Sequence, residues 1–359
     1  MMMKKILLLL PFLTLACTSE LELPADGPDK VLIVNGSLCS ADSVHVVRIA
    51  SSSASEGIIL PPAAKVTLFV NDVAKAESTA PSDEKAYMKS RSYKLECRFS
   101  PGDELRLTVE TALGKCEVEG TVPAAPKVID VRQGEAVELT YDDYGNVETR
   151  NFTRVFLTLS DPAGERNAYR VKARAMAVHE LKDGPEGIGL PVGYKTAPAP
   201  ADLTVYNLLE PAMQLPWSTN NPVNDFNVFS DDTFDGQTYS LDLCLRGKSG
   251  TSGKHLLFFS PPSVGSYYRD GVYYSDLWCS HQWLDVELEA IPYDTWRYIM
   301  AEEYDSEGPV IPLVYEPTLF PSNVKGGLGY VNISSATIST IQLPDVYFDV
   351  DHYPGGYIK

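Results

Sequence analysis

The chain has 359 residues, 44% of them apolar and 22% charged, with 25 glycines and 26 prolines; this is a globular composition, and it excludes wholesale disorder and fibrous repeats. Its 30 Lys and Arg against 48 Asp and Glu give a net charge of −18, so no basic field exists for nucleic acid and no nucleic-acid partner is expected. The length accommodates two domains at roughly 100–200 residues each.

The N-terminus opens with Lys4-Lys5, continues with eleven mostly apolar residues from Ile6 to Ala16, and reaches Cys17. This is the pattern of an export signal. Eleven residues rise only about 16 Å as helix against a hydrocarbon core of about 30 Å, too short to span. A small residue directly before Cys17 matches the bacterial lipobox, with Thr14 in place of the usual Leu. Cys17 is therefore the expected lipidation site and mature N-terminus, palmitate-type acylation supplying a membrane anchor of more than one chain. No Lys or Arg follows before Lys30, while Glu20 and Glu22 do. That stretch resembles the surface-export signal of outer-membrane lipoproteins, the alternative being a merely solvated acidic tether. The resulting division is a signal peptide over 1–16, an acidic tether over 17–29, a β-sandwich domain over 30–123 and a larger β domain over 128–359.

Period-two alternation recurs along the chain. Val44, Val46 and Arg48 oppose His45, Val47 and Ile49; Val66, Leu68 and Val70 share a face; Phe156, Thr158 and Ser160 oppose Val155, Leu157 and Leu159; Leu241, Leu243 and Leu245 alternate again. These are half-buried strands of antiparallel sheets, separated by turns such as Pro101-Gly102-Asp103 and Tyr144-Gly145-Asn146. The fold class is mainly β: an immunoglobulin-like or prealbumin-like sandwich, then a larger antiparallel β domain with one short helix. Thr121-Val-Pro-Ala-Ala-Pro-Lys127 is a stiff connector and the expected boundary. The helix begins at Pro292, with Trp296, Ile299, Met300 and Tyr304 at helical spacing. Between Leu181 and Gln237, seven prolines and little alternation read as a long loop, either a binding element or plain coil.

Beyond Cys17 five cysteines remain: Cys39, Cys97, Cys116, Cys244 and Cys279. Outside the cytoplasm disulfides are allowed. A Cys97–Cys116 bridge across an apparent β-meander would stabilise by about 3 kcal/mol through loop closure. Cys244–Cys279 is a second candidate pair, and free buried thiols are the alternative for all five. No spacing among them forms a zinc site.

Several stretches together resemble the domain of unknown function family 4249, outer-membrane lipoproteins associated with TonB-dependent receptors. The N-terminal matches are Lys30-Val-Leu-Ile-Val-Asn-Gly36, Ala64-Lys-Val-Thr-Leu-Phe-Val70 and Pro101-Gly-Asp-Glu-Leu-Arg-Leu-Thr-Val109. Further along they are Ser160-Asp-Pro-Ala-Gly164, Asn220-Asn-Pro-Val223, Phe234-Asp-Gly-Gln-Thr-Tyr239 and Ser322-Asn-Val-Lys-Gly-Gly-Leu-Gly-Tyr330. The resemblance implies a cell-surface location and a role near nutrient import; it implies no reaction.

Read physically, Gly326, Gly327 and Gly329 supply positive φ and close backbone approach, and Tyr330–Ile333 with Ala336–Ile341 read as a closing hairpin. Phe234-Asp-Gly-Gln leads into a strand over Thr238–Arg246. Asp231, Asp232 and Asp235 nearby can bind calcium in principle, but EF-hand spacing is absent and no metal is expected. Trp283, Asp285, Glu287 and Glu289 fall on one strand face, a solvated acidic surface or else a cation site. Tyr267, Tyr268, Tyr273, Tyr274, Trp278 and Trp283 crowd into 17 residues around the Asp270-Gly271 hairpin turn. They serve cross-strand pairing or form a stacking platform for a ligand or partner.

No HExxH, GxSxG or Walker pattern occurs, and the five histidines each lie more than 20 residues from the next. No catalytic residue, enzymatic activity or cofactor is therefore expected. The expected function is an accessory binding component of a TonB-dependent uptake system, with a lipid anchor, a transporter partner and a nutrient ligand of unknown identity. A structural or adhesive surface protein and a hydrolase with a spatially assembled site are the alternatives.

Overall fold

The computed structural model describes residues 30–53, 56–85, 89–134, 137–143, 146–181, 190–196, 198–200, 227–246, 267–269, 272–274, 278–306, 321–343, 346–348 and 357–358. Cys17, the tether and most of the proline-rich stretch lie outside them.

The first nine strands are β1 (Lys30–Cys39), β2 (Val44–Ser53), β3 (Gly57–Ile59), β4 (Lys65–Val70), β5 (Val73–Ser78), β6 (Asp83–Lys85), β7 (Ser90–Glu96), β8 (Glu104–Thr111) and β9 (Gly114–Thr121). β1, β2, β7 and β6 lie side by side in one sheet with β3 at its edge, and β5-β4-β8-β9 form the facing sheet. The alternation in the sequence orients both: His45, Val47 and Ile49 point inward while Val44, Val46 and Arg48 face out, and Val66, Leu68 and Val70 meet them from the facing sheet. Tyr93 is fully buried and its hydroxyl accepts from the Ala64 amide at 2.9 Å, so the largest side chain of this core carries a satisfied polar tip.

The rest of the chain builds β10 (Lys127–Gln133), β11 (Val137–Asp143), β12 (Asn146–Ser160), β13 (Ala168–Leu181), β14 (Leu190–Thr196), β15 (Pro198–Pro200), β16 (Val228–Ser230), β17 (Thr238–Arg246), β18 (Tyr267–Arg269), β19 (Val272–Tyr274), β20 (Trp278–Ile291), helix α1 (Tyr293–Ser306), β21 (Val331–Gln342), β22 (Val346–Phe348) and β23 (Tyr357–Ile358). β10-β12-β17-β15 packs on β14-β13-β20-β21 around Leu157, Val171, Leu243 and Val286. The fold is thus mainly β with sandwich-like sheets and, among the described residues, one short helix. Part of the proline-rich segment is strand, because β14 pairs in register with β13 and β16 with its opposite end. Helix α1 lays Ile299 and Met300 against Ala168, Val228 and Ile291, as the apolar spacing requires.

One element joins the two sandwiches. The sequence suggests a hairpin over 330–341, but β21 is a single twelve-residue strand. Its first four residues pair in parallel with the end of β1, Gly36 facing Val331 and Cys39 facing Ser334. The next eight pair antiparallel with β20, from Ser335 facing Ala290 to Gln342 facing Trp283. Ser334 and Ser335 are fully buried and form no turn; the strand simply changes neighbours there. The result is one twelve-stranded sheet, ordered β14-β13-β20-β21-β1-β2-β7-β6 along its main path, each half covered by its own facing sheet. Because β1 and β21 run the same way, the second sandwich lies beyond the Cys39 end of β1, opposite Lys30.

Candidate functional site

The glycine-rich segment before β21 closes the first sandwich. Leu328 exchanges backbone hydrogen bonds with β1 (Val34 amide to Leu328 carbonyl and Leu328 amide to Leu32 carbonyl, both 2.8 Å), and Lys325 does the same with Glu117 of β9. The segment therefore bridges both sheets at their open edge. A Cβ on Gly327 would lie 2.6 Å from the Cys116 Sγ and 2.7 Å from the Leu32 carbonyl oxygen, and one on Gly329, where φ is +104°, 2.3 Å from the Val34 oxygen. Only glycine fits so close to β1.

Where the two sandwiches meet, a polar network is buried. Glu289 of β20 is fully buried. Arg170 (2.7 Å) and Lys172 (2.8 Å) of β13 reach its Oε2, and the Ser334 hydroxyl (2.5 Å) and Asn332 Nδ2 (2.9 Å) of β21 donate to its Oε1. Asn332 also reaches the Ser37 hydroxyl of β1 at 3.3 Å, and its Oδ1 lies 3.2 Å from the Thr295 hydroxyl of α1. Burial pushes the Glu289 carboxyl toward the protonated form, but Arg170, Lys172 and the hydrogen bonds outweigh it and hold the group below its ordinary value. The expected solvated acidic face is therefore corrected. Asp285, Glu287 and Glu289 stand directly opposite Arg174, Lys172 and Arg170, Lys172 pairs with Glu287 at 2.9 Å, and Thr340 donates to Asp285 at 2.7 Å. The alternating basic row Arg170, Lys172, Arg174 was the sequence signal that could have announced this.

A second cluster sits on the loops around β16. Asp161, Asp231 and Asp235 bring carboxylate oxygens within 4.8 Å of one another, the first two buried. The grouping read from sequence differs by one member: Asp232 turns away to Ser230 and Arg166, and Asp161, 70 residues upstream in the Ser160-Asp-Pro-Ala-Gly164 stretch, takes its place. Protein donors engage all three carboxylates. Tyr169 donates to Asp161 at 2.5 Å and the Gly236 amide at 2.9 Å; Asn167 holds Asp231 through its backbone amide (2.8 Å) and side chain (3.1 Å); Gly164 donates to Asp235 at 2.9 Å. Desolvation, reinforced by the Asp161 charge, raises the Asp231 carboxyl above its usual range despite the Asn167 hydrogen bonds. The arrangement ties the loop after β12 to the loop before β17.

The tyrosine-rich stretch forms the expected hairpin. β18 and β19 pair as Tyr267 with Tyr274, Tyr268 with Tyr273 and Arg269 with Val272, while Asp270-Gly271 lies outside the described residues. Trp278 opens β20 opposite Leu181 and Phe348, and half-buried Trp283 stands opposite Met176 and Gln342. Trp278 is thus at the end of β20 remote from the first sandwich, and the hairpin, four residues earlier, is within about 14 Å of that end. From Lys30 along β1, β21 and β20 to Trp278 the strand path is about 70 Å at about 3.3 Å per residue.

The Cys97–Cys116 bridge does not form: both are buried free thiols, as is Cys39. The apparent meander is not one, because β7 and β8 belong to facing sheets and the chain crosses between them after Cys97. The Cys116 Sγ donates to the Gly326 carbonyl at 3.4 Å, and burial pushes its thiol pKa up, as at Cys97. Cys244 lies on β17 and Cys279 on β20, in facing sheets, and their side chains are outside the description. A cleft of about 570 Å³ over β10 and β12 is lined by Arg132, Arg154 and Phe156. Its cations are already committed, with Arg154 chelating Asp242 and both guanidiniums stacked on the Phe156 ring.

Residues 18–340 match the family described as a domain of unknown function, DUF4249. The chain belongs to the DUF4249 family. The matched span contains both sandwiches, the buried network and the glycine-rich clasp, so the DUF4249 unit is the double sandwich and not one half of it. No curated protein matches the chain. Among solved structures, the I-band fragment I67-I69 from titin aligns over 85% of this chain and 96% of its own at 6% identity, with a TM-score of 0.16.

Proposed function

We propose that this DUF4249 protein is a surface lipoprotein of the outer membrane, anchored through acylated Cys17, that serves a TonB-dependent uptake system as an accessory binding component. The observation that carries the reading is the layout. The lipidation signal precedes the Lys30 end of a double sandwich, and the tyrosine hairpin lies near its opposite end, about 70 Å of strand path away. An anchored module of this form presents Tyr267, Tyr268, Tyr273, Tyr274 and Trp278 away from the lipid, where amphipathic aromatics make strong contact points. The shared strand and the buried Glu289 network support a stiff connection between anchor and tip.

The test is affinity purification of the tagged, full-length protein from membranes, with mass spectrometry of what accompanies it. Wild type is expected to bring down a transporter barrel, and Tyr273→Ala/Tyr274→Ala/Trp278→Ala to lose it while remaining membrane-bound. Cys17→Ser is expected to leave the membrane fraction. Recovery of no barrel with wild type, or equal recovery with the triple variant, defeats the reading.

A further inference from the structure

A second cleft, of about 610 Å³, opens at the Cys39 end of the first sandwich, where the β1–β2, β4–β5 and β7–β8 connections converge. Loop clusters at a sandwich end are common ligand sites. Its rim is fixed. Asn71 and Asp72 hold the left-handed conformation (φ 50° and 62°) in the tight β4–β5 turn, and Asn71 locks that turn to the next loop by donating to Asp103 at 2.8 Å and accepting from the Glu104 amide at 2.9 Å. The second oxygen of Asp103, which also lines the cleft, accepts from the Ser100 amide at 2.8 Å, so this carboxylate is committed to the scaffold; those bonds, with a smaller contribution from the Lys75 charge, hold it below its usual range.

The floor is apolar. Phe99 is buried and backed by the ring of buried His45, the two stacked at 4.9 Å; Val70 lies beside it and Val73 is 54% exposed at the lip. An apolar side chain that exposed, next to a preformed hollow, offers surface for a ligand to cover.

The walls are cationic. Lys75 and Arg98 both line the cleft and, among the described residues, neither forms a salt bridge, although the chain carries 48 acidic side chains. In the other cleft the corresponding arginine is chelated by Asp242. Ser40 and Ser100 add hydroxyls at the same opening.

We infer that this cleft binds a small carboxylate carrying an apolar substituent, its charge between Lys75 and Arg98 and its apolar group over Phe99, Val70 and Val73. A guanidinium and an ammonium that form no salt bridge among the described residues supply charge-assisted hydrogen bonds to the carboxylate, and the floor removes the substituent from water. This site is distinct from the aromatic tip and does not depend on the uptake role.

Isothermal titration of the full-length protein in detergent tests it with three probes. N-acetyl-L-phenylalanine is expected to bind. N-acetyl-L-phenylalaninamide, which keeps the ring and loses the charge, and N-acetylglycine, which keeps the charge and loses the ring, are each expected to bind at least tenfold more weakly. Lys75→Met/Arg98→Met is expected to weaken the first probe at least tenfold without moving the thermal unfolding midpoint, since both side chains are exposed. The inference is overturned if the first probe does not bind at millimolar concentration, if the amide or N-acetylglycine matches it, or if the double variant binds it unchanged. Inorganic phosphate displacing the probe at equal concentration would likewise overturn it, by showing a bare anion site.

Discussion

At the scale of single residues, His45 is a titratable group buried in the apolar core of the first sandwich, and that burial ties stability to pH. The alternation along β2 already turned His45 inward, and it is buried. Its partners come from residue 52 positions away and beyond: the Cys97 carbonyl accepts from Nε2 at 3.0 Å and the Phe99 ring stacks on the imidazole, contacts that only the fold creates. Among the described residues Nδ1 has no hydrogen-bond partner, and desolvation lowers the His45 pKa below 6.5, outweighing the Cys97 bond and the Asp42 charge. Above pH 6.5 the imidazole is neutral in both folded and unfolded chains and contributes no pH dependence. Below it the unfolded chain takes up a proton that the folded chain refuses, so stability falls until the lower folded value is passed. His45→Phe keeps the stacking and removes the titration. Urea midpoints measured between pH 7.5 and 5 should fall more steeply for wild type than for the variant, and parallel curves would refute the assignment. Gly329 is legible for a local reason, since a φ of +104° and a backbone oxygen 2.3 Å from a would-be Cβ leave no other residue; the positive φ expected at Gly327 is not found, and glycine is required there by the close approach of Cys116 and Leu32 alone.

At the scale of elements, the hairpin that the sequence suggests over 330–341 is the single strand β21, because strand signals are local while partner choice is not. Its β-formers on either side of Ser334-Ser335 look like two strands and a turn, yet both serines are buried and the change they mark is from β1 to β20. The polar residues of this strand are equally opaque in sequence: Asn332 and Ser334 matter because Glu289 arrives opposite them with Arg170 and Lys172 behind it. A buried carboxylate so surrounded is costly to break from one side. Glu289→Ala leaves the Arg170 guanidinium, 19% exposed, without its counter-charge and should destabilise the protein by about 3–5 kcal/mol. Glu287→Ala, whose lysine partner is 42% exposed, should lose about 1 kcal/mol or less. Chemical denaturation of the two variants separates the buried member of the row from the outer one; equal losses would contradict the placement of Glu289.

At the scale of the whole molecule, the Pro/Ala connector looked like the natural boundary, and it does link the two sandwiches. The first sandwich nevertheless draws three core side chains from the far end of the chain, Val324, Val331 and Ile333, together with the strand that covers the open side of β1. The Ser335 and Thr337 hydroxyls also bond the carbonyls of Ala124 and Pro126, fastening the connector along β21 at 2.9 and 2.7 Å. Burying three such side chains is worth roughly 5–9 kcal/mol at about 1.5–3 kcal/mol each, as much as the whole net stability of many domains. A fragment of residues 30–126 should therefore lack a cooperative urea transition and, with β1 exposed as a ten-residue edge, associate through it. Adding a peptide of residues 322–342 should restore a cooperative transition, and the intact chain should lose both sandwiches in one step. Circular dichroism in urea decides: a fragment that melts cooperatively at the midpoint of the intact chain would mean that the two sandwiches are independent, and that β21 is a bridge between finished domains instead of a part of both.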